Sequence, residues 1–309
     1  MNKDKYLMNY QKLIYHPHRV SEWLRKGDVY PLSVEIGIAG RCNHRCIFCA
    51  FDYLNYEGPL IDISVMKQFL SDAKKCGVKS IILAGEGEPL THKNFSEIVT
   101  FASKQGLDVG VSTNGVLFDN ETMKKCLRYL SWVRFSVDAG NEETYSKIHR
   151  CSPSDFHKVL SNIKSAANLK REKNYDCTIG VQSLLLHENQ NGMLELARIV
   201  KETGADYFTI KPFTKHPLSK SRVKIFNQDL DRLKKSLQKI VTKDFDIIIR
   251  NTAFGNIGNQ RGFRKCFGHS FITYIDAHGD VYLCSAFLGN KDFVFGNIYG
   301  NSFSEIWES

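Results

Sequence analysis

The sequence has no apolar run that approaches the ~18 residues a membrane-spanning helix needs. Its first twenty residues, MNKDKYLMNYQKLIYHPHRV, scatter charges and aromatics, so they contain neither a secretory h-region nor a membrane anchor. No internal repeat or low-complexity tract is visible, which excludes a solenoid, a fibre or a mainly disordered chain. These absences predict a cytoplasmic protein with no membrane partner. Thiols stay reduced there, and clustered cysteines more often bind metal than pair as disulfides.

What is present is size and positive charge. The 309 residues, 42% of them hydrophobic, suffice for one large α/β domain, or for a domain of about 200–250 residues with a small appendage. A net charge of +9 suits an anionic partner: nucleic acid, anionic lipid or a phosphorylated small molecule. The excess is concentrated between Lys215 and Lys243. There Leu230, Leu233, Leu237, Ile240 and Val241 keep helical spacing with lysines between them, so the stretch reads first as a solvated helix face and second as a phosphate site.

From residue 32 onward, short β-rich runs alternate with amphipathic segments. The strand-like runs are LSVEIGI (32–38), SIILA (80–84), LDVGVS (107–112), WVRFSV (132–137), CTIGVQSLLL (177–186) and YFTIK (207–211). Helical faces lie between them: Val65, Phe69, Ala73 and Cys76; Phe95, Ile98, Val99 and Ala102; Phe156, Val159, Leu160, Ile163 and Ala167; Met193, Leu196, Ala197 and Val200. Such alternation means parallel strands joined by right-handed crossovers. Distinctive chemistry follows the strand ends: a cysteine loop after the first, GEGEP (85–89) after the second, STNG (112–115) after the third, and SVD (136–138) at the end of the fourth. In a parallel barrel all four meet at the C-terminal mouth. The expected fold is α/β, a partial (β/α)6 TIM-like barrel over residues 32–250, with an N-terminal extension over 1–31. A C-terminal extension over 251–309 opens with a linker or long loop, NTAFGNIGNQRGFRK, and carries a hairpin, FITYIDAHGDVYLC, turning at His278-Gly279-Asp280.

The cysteine loop, AGRCNHRCIFCAF (39–51), holds three thiols within eight positions, too tight a group for nine cysteines scattered by chance. A four-iron cluster normally takes four thiolates; three leave one iron with open coordination positions. Zinc more often pairs its cysteines in two separated arms, although His44 stands inside the loop as a zinc ligand, and plain structural thiols are the remaining reading. Cys42-x3-Cys46-x2-Cys49, with Phe48 before the last cysteine, resembles the signature of radical S-adenosylmethionine (radical SAM) enzymes. The resemblance implies a 4Fe-4S cluster on Cys42, Cys46 and Cys49, with SAM chelating the unique iron. It implies reductive cleavage to methionine and a 5'-deoxyadenosyl radical that takes hydrogen from a substrate, the cofactors carrying the hard chemistry. A flavodoxin or ferredoxin is implied as electron donor.

Other segments resemble the family residue by residue. GEGEP is similar to its Gly-Gly-Glu motif, which implies that Gly87, Glu88 and Pro89 contact the methionine amino group with Glu88 as acceptor. Glu86 departs, standing where glycine is commoner. Ser136 and Asp138 resemble the Ser-x-Asp of the fourth strand, the serine meeting the SAM carboxylate or ribose. By the same resemblance Phe48 supports the adenine, and Asn114 lies at the same rim. Cys266, Gly279 and Cys284, with the ending GNIYGNSFSEIWES, look like the opening of a SPASM or twitch extension, which in relatives carries auxiliary iron-sulfur clusters. This ligand set is incomplete, because no cysteine follows Cys284. The readings at Cys266 and Cys284 are no metal, a cluster completed by ligands from elsewhere, or a zinc site completed by His269 and His278. Cys76, Cys126, Cys151 and Cys177 have no partner spacing and read as buried free thiols.

Scaffold and cofactor leave the substrate open. About thirty residues precede the first strand, too few for a separate peptide-recognition domain, which with the basic excess favours a small substrate, sugar-like or nucleotide-linked and phosphorylated. Dehydrogenation, epimerisation or rearrangement is the expected outcome. Arg150, His149 and Lys211 are the candidate substrate contacts at the mouth, and no residue is assigned to return a hydrogen atom or proton to the product. The alternatives are modification of a ribosomally made peptide or protein side chain and, from another class, a non-catalytic zinc- or nucleic-acid-binding protein; nucleic acid is not the expected partner.

Overall fold

The computed structural model describes residue 6 and residues 10–224, 226, 229–255 and 264–308. Among these residues ten strands form one sheet, in the order β12 (Val294–Asn297), β11 (Asp280–Tyr282), β10 (Ile272–Ile275), β1 (Ser33–Ile36), β4 (Ser80–Leu83), β5 (Asp108–Thr113), β6 (Trp132–Ser136), β7 (Thr178–Leu185), β8 (Tyr207–Pro212) and β9 (Asp246–Ile249). From β10 to β9 every neighbouring pair is parallel; β10–β11 and β11–β12 are antiparallel. The edge strands β12 and β9 do not pair with each other, so the barrel is partial. A separate ribbon of β2 (Ala39–Arg41) and β3 (Glu57–Leu60) brackets the cysteine loop.

Ten helices accompany the described strands: α1 (Pro17–Lys26), α2 (Ile63–Lys75), α3 (Phe95–Lys104), α4 (Asn120–Cys126), α5 (Glu142–His149), α6 (Ser154–Lys173), α7 (Met193–Thr203), α8 (Leu230–Gln238), α9 (Asn251–Gly255) and α10 (Phe303–Glu308). Their starts are written in the sequence. Asp62, Asp119, Asn141 and Asp229 each accept backbone N–H bonds from the first turn of α2, α4, α5 and α8, each cap contributing about 1 kcal/mol. The strands are rich in β-branched residues, and β1, β4 and β6 alternate fully buried with half-buried positions. Val34, Ile36, Ile81, Leu83, Val109, Val111, Val133 and Phe135 are part of one core cluster with Ile98 and Val99 of α3 and Val159 and Ile163 of α6.

The six expected strands are β1, β4, β5, β6, β7 and β8. The structure adds β9, which follows β8 in parallel register, Tyr207 opposite Asp246. Its DIII run lies just behind the lysine-rich stretch, and four residues are too few to show a period beside so strong a helical signal. In α2 the buried face is Met66, Phe69, Leu70 and Ala73, whereas Val65 is half-buried and Cys76 is the C-cap. α8 stops at Gln238, so Ile240 and Val241 lie beyond it, while Leu233 and Leu237 are buried as expected. Within the expected linker, residues 251–255 form α9 and 256–263 lie outside the described residues. The hairpin turns where the sequence placed it, but its first strand lies directly against β1, Ser33 opposite Ile272, so the C-terminal segment continues the barrel sheet.

Candidate active site

The cysteine loop follows β1 and β2 at the C-terminal ends of the parallel strands, the end at which such folds gather their chemistry. It is pinned on two sides. Backbone N–H groups of Arg45 and Ile47 donate to the carbonyls of His149 (3.0 Å) and Ile148 (2.9 Å) at the end of α5. The hydroxyls of Ser219 and Ser221 donate to the carbonyls of Cys49 (3.1 Å) and Ile47 (2.7 Å). Cys42, Cys46 and Cys49 are half-buried free thiols. Burial pushes all three upward in pKa, Cys42 to about 12; Glu88 and then Cys49 push Cys42 further, and Cys42 and Cys49 push Cys46 further. Three thiols on one loop that resist ionisation so strongly need a compensating positive charge to become thiolates. An iron-sulfur cluster supplies it, and the donor set fits one with an iron left open.

GEGEP packs beneath this loop. The Glu88 N–H donates to the Arg41 carbonyl at 2.7 Å. A Cβ on Gly87 would stand 2.0 Å from the Ala39 carbonyl oxygen and 2.5 Å from that of Arg41, so only glycine allows the turn to approach β2. Glu88 is buried and its carboxylate accepts from Thr113 Oγ1 (2.6 Å), the Asn114 N–H (2.7 Å) and the Leu90 N–H (3.1 Å). Burial raises it to about 6 against those bonds. Asn114 in turn donates from Nδ2 to Asn43 Oδ1 at 2.7 Å, tying the end of β5 to the cysteine loop. Thr113 and Asn43 thus belong to the site although the sequence reading did not single them out; the polar STNG run after a strand was the available signal for Thr113.

Glu86 has its own explanation. Its buried carboxylate accepts from Tyr274 Oη at 2.5 Å and from the Ala277 N–H at 2.6 Å, both in the C-terminal hairpin. It fills the space that Gly37 leaves open, where a Cβ would lie 2.1 Å from Glu86 Oε2. The departure from the commoner glycine is therefore a link between the cofactor-side turn and the C-terminal segment.

A cavity of about 460 Å³ opens at the mouth, lined by Cys46, Cys49, Phe48, Gly85, Ser136, Asp138, Gln182, Lys211 and Arg250. Ser136 is half-buried on its rim, and Phe48 packs edge-on against His149 at 5.6 Å. Asp138 is fully buried, accepts from the Leu184 N–H (2.6 Å) and Ser183 Oγ (3.2 Å), and is raised to about 7 by desolvation. Lys211 is lowered to about 8, first by burial and then by Arg250 and Arg134, with Asp138 and Glu35 opposing. Of the three expected substrate contacts only Lys211 lines this cavity. His149 is fully buried behind the cysteine loop, because it ends α5 on the side that α5 turns toward the core. Arg150 caps that helix in the left-handed conformation (φ 48°) and instead lines a second cavity of about 660 Å³ against the loop, with Cys46, Arg45, Lys220, Arg222, Asp52 and Glu188.

His44 is buried with Nε2 3.1 Å from Asp155 Oδ2. Among the described residues, the groups of three or more side chains whose ligand atoms lie within 4.8 Å of one another, close enough to share a single metal ion, are His44, Cys46 and His149, and His44, Cys151 and Asp155. Neither contains Cys266, His269, His278 or Cys284, so the zinc site conceived for those four is not assembled. His278 lies at the turn of the hairpin and Cys284 past the other end of β11. Cys266 and Cys284 are exposed, beside the N-terminal ends of the parallel strands and away from the mouth. Two thiolates are half of a usual cluster set, so these residues alone do not fit an auxiliary cluster. Cys126 and Cys177 are buried, whereas Cys76 and Cys151 are half-buried.

No helix among the described residues is long and apolar enough to cross a membrane. An iron-sulfur cluster-binding domain, SPASM, matches residues 266–309. Similar curated proteins include the tungsten-containing aldehyde ferredoxin oxidoreductase cofactor-modifying protein of Pyrococcus furiosus, 27% identical over 88% of this chain and 79% of its own length. Another is the mycofactocin maturase MftC of Mycolicibacterium smegmatis, 22% identical over 94% of this chain and 73% of its own. The crystal structure of Streptococcus suis SuiB bound to precursor peptide SuiA shares the fold, with a TM-score of 0.72 at 17% identity over 100% of this chain and 72% of that one. The Radical SAM superfamily profile matches residues 36–198, more than half of the chain, and the protein therefore belongs to the radical SAM superfamily, as an enzyme that binds a 4Fe-4S cluster and SAM and carries a SPASM-type C-terminal segment.

Proposed function

We propose that this enzyme removes a hydrogen atom from a small anionic metabolite, sugar-like or nucleotide-linked, held at the mouth by Lys211 and Arg250. The observation that carries the reading is the charge in the mouth: Lys211 is drawn down to about 8 by burial and by two nearby guanidiniums. An incoming phosphate or carboxylate relieves that repulsion and gains charge-assisted hydrogen bonds. Bound SAM supplies the 5'-deoxyadenosyl radical. The chain's own part is to hold it: Glu88 accepts three hydrogen bonds already, which leaves one acceptor direction of its carboxylate for the methionine ammonium. Gly87 and Pro89 shape that turn, Ser136 and Asn114 stand at the ribose and carboxylate side, and Phe48 supports the adenine. We place residues 1–31 and 251–309 as extensions around the barrel of 32–250. The electron comes from a flavodoxin or ferredoxin that meets the basic outer cavity at Arg150, Lys220 and Arg222.

The second reading, modification of a peptide, is favoured by the maturase among the relatives and by the peptide-bound neighbour. The test is anaerobic reconstitution with iron and sulfide, then assay of 5'-deoxyadenosine and product with panels of phosphorylated or nucleotide-linked metabolites and of peptides. Cys46→Ala should abolish 5'-deoxyadenosine formation, and Lys211→Met should raise the KM for an anionic substrate by tenfold or more. Turnover of a peptide with none of the anionic metabolites overturns the small-substrate reading.

A further inference from the structure

His149 stands directly behind the loop that carries the three cysteines. Its Nδ1 lies 3.2 Å from Cys46 Sγ, and on the other side of the ring Nε2 lies 3.3 Å from Asp138 Oδ2. The imidazole is fully buried, and Asp138 is 2% exposed. Neither group is free to move: Asp138 is held by the Leu184 N–H and Ser183 Oγ, and the imidazole is flanked by Tyr145, His44 and Phe48 at centroid distances of 4.2, 5.4 and 5.6 Å. Its backbone is fixed as well, since the His149 carbonyl accepts from the Arg45 N–H at 3.0 Å. One residue therefore grips the loop twice, once through the main chain beside Cys46 and once at the Cys46 sulfur.

We propose that His149 is a positioning residue for the cluster: in the loaded enzyme its Nδ1–H donates a hydrogen bond to the Cys46 thiolate, the ring being held by its packing against Tyr145, His44 and Phe48, and this bond sets the reduction potential of the cluster. The physical reason is differential stabilisation. Adding an electron makes the ligated sulfurs more negative, so a donor aimed at one of them stabilises the reduced state more than the oxidised one. Burial strengthens the effect, because no water competes for the sulfur. The ring itself does not line the substrate cavity, although its two partners, Cys46 and Asp138, do.

This inference rests on Cys42, Cys46 and Cys49 holding a cluster, and the two are separable. Iron and sulfide contents report the cluster, whereas its potential reports the hydrogen bond. The experiment is an EPR-monitored redox titration of the reconstituted enzyme as wild type, His149→Phe and His149→Asn. Phenylalanine keeps a ring and removes the donor; asparagine places an amide N–H near the position of Nδ1. At equal iron content, His149→Phe should shift the oxidised-to-reduced ratio at fixed potential about tenfold toward oxidised, equivalent to about 59 mV for one electron, and His149→Asn should recover at least half of that shift. Unchanged potentials in both variants overturn the proposal. Should the phenylalanine variant fail to hold a cluster, pulsed EPR of the reduced wild-type enzyme labelled with 15N-histidine decides. A resolved coupling to one histidine nitrogen, lost in His149→Asn, supports the bond, and no coupling refutes it. Wild-type protein that takes up no iron and sulfide overturns the cluster reading itself.

Discussion

Glu86 offers a sharp quantitative test, because its buried carboxyl joins two parts of the chain 188 residues apart. Burial pushes it from 4.5 up to about 7, against the hydrogen bonds from Tyr274 and Ala277. Between those two values the folded protein keeps a proton that the unfolded chain gives up. Its contribution is therefore fully present below about 4.5 and is lost as pH rises through about 7. The gap of about 2.5, at 1.36 kcal/mol for each tenfold, sets a ceiling of about 3 kcal/mol, of which about 2.5 falls between pH 5 and pH 8. Glu86→Gln cannot ionise yet keeps an acceptor for Ala277 and a donor for Tyr274. Urea unfolding followed by circular dichroism should show the glutamine variant near parity with wild type at pH 5 and gaining on it steadily to pH 8. Glu86→Ala should lose about 2–6 kcal/mol at pH 5, since it strands a buried hydroxyl and a buried N–H at about 1–3 kcal/mol each. A difference between glutamine and wild type that stays flat with pH would refute the reasoning.

Two further outcomes follow from the geometry. Gly87→Ala drives a Cβ to 2.0 Å from a main-chain oxygen; it should weaken SAM binding at least tenfold by equilibrium dialysis, and wild-type affinity would show that the turn does not bear on the cofactor. Arg150→Glu combined with Arg222→Glu reverses charge in the outer cavity; reduction by an acidic flavodoxin should slow tenfold or more at low salt while reduction by dithionite is unchanged. Equal losses with both reductants would assign that cavity to the substrate instead.

The parts of this fold legible in the sequence were those set by neighbours along the chain. The alternation of β-rich and amphipathic runs gave β1, β4, β5, β6, β7 and β8 in order, and the polar residues after four of them marked the mouth. The caps at Asp62 and Asp119 likewise act within three residues. What escaped was set by pairing across distance. The strand β10 beside β1, the bond from Tyr274 to Glu86, and the contact of His149 with Cys46, 103 residues away, leave no periodic trace. His149 illustrates the point. The sequence places it at the mouth with Arg150 and Lys211, yet the left-handed residue Arg150 that follows turns the chain so that the two side chains face opposite surroundings.

The position of β10 also constrains how the chain comes off the ribosome. One edge of β1 pairs with β4 some fifty residues later. Its other edge waits for residues 272–275, about 240 residues after β1. Until those residues emerge, that edge is an open row of N–H and C=O groups on a strand reading SVEI, a template for pairing with other chains. Expression yield should thus depend on chaperones that shield nascent edges, and mutations in Ile272–Ile275 should appear first as aggregation rather than as loss of turnover.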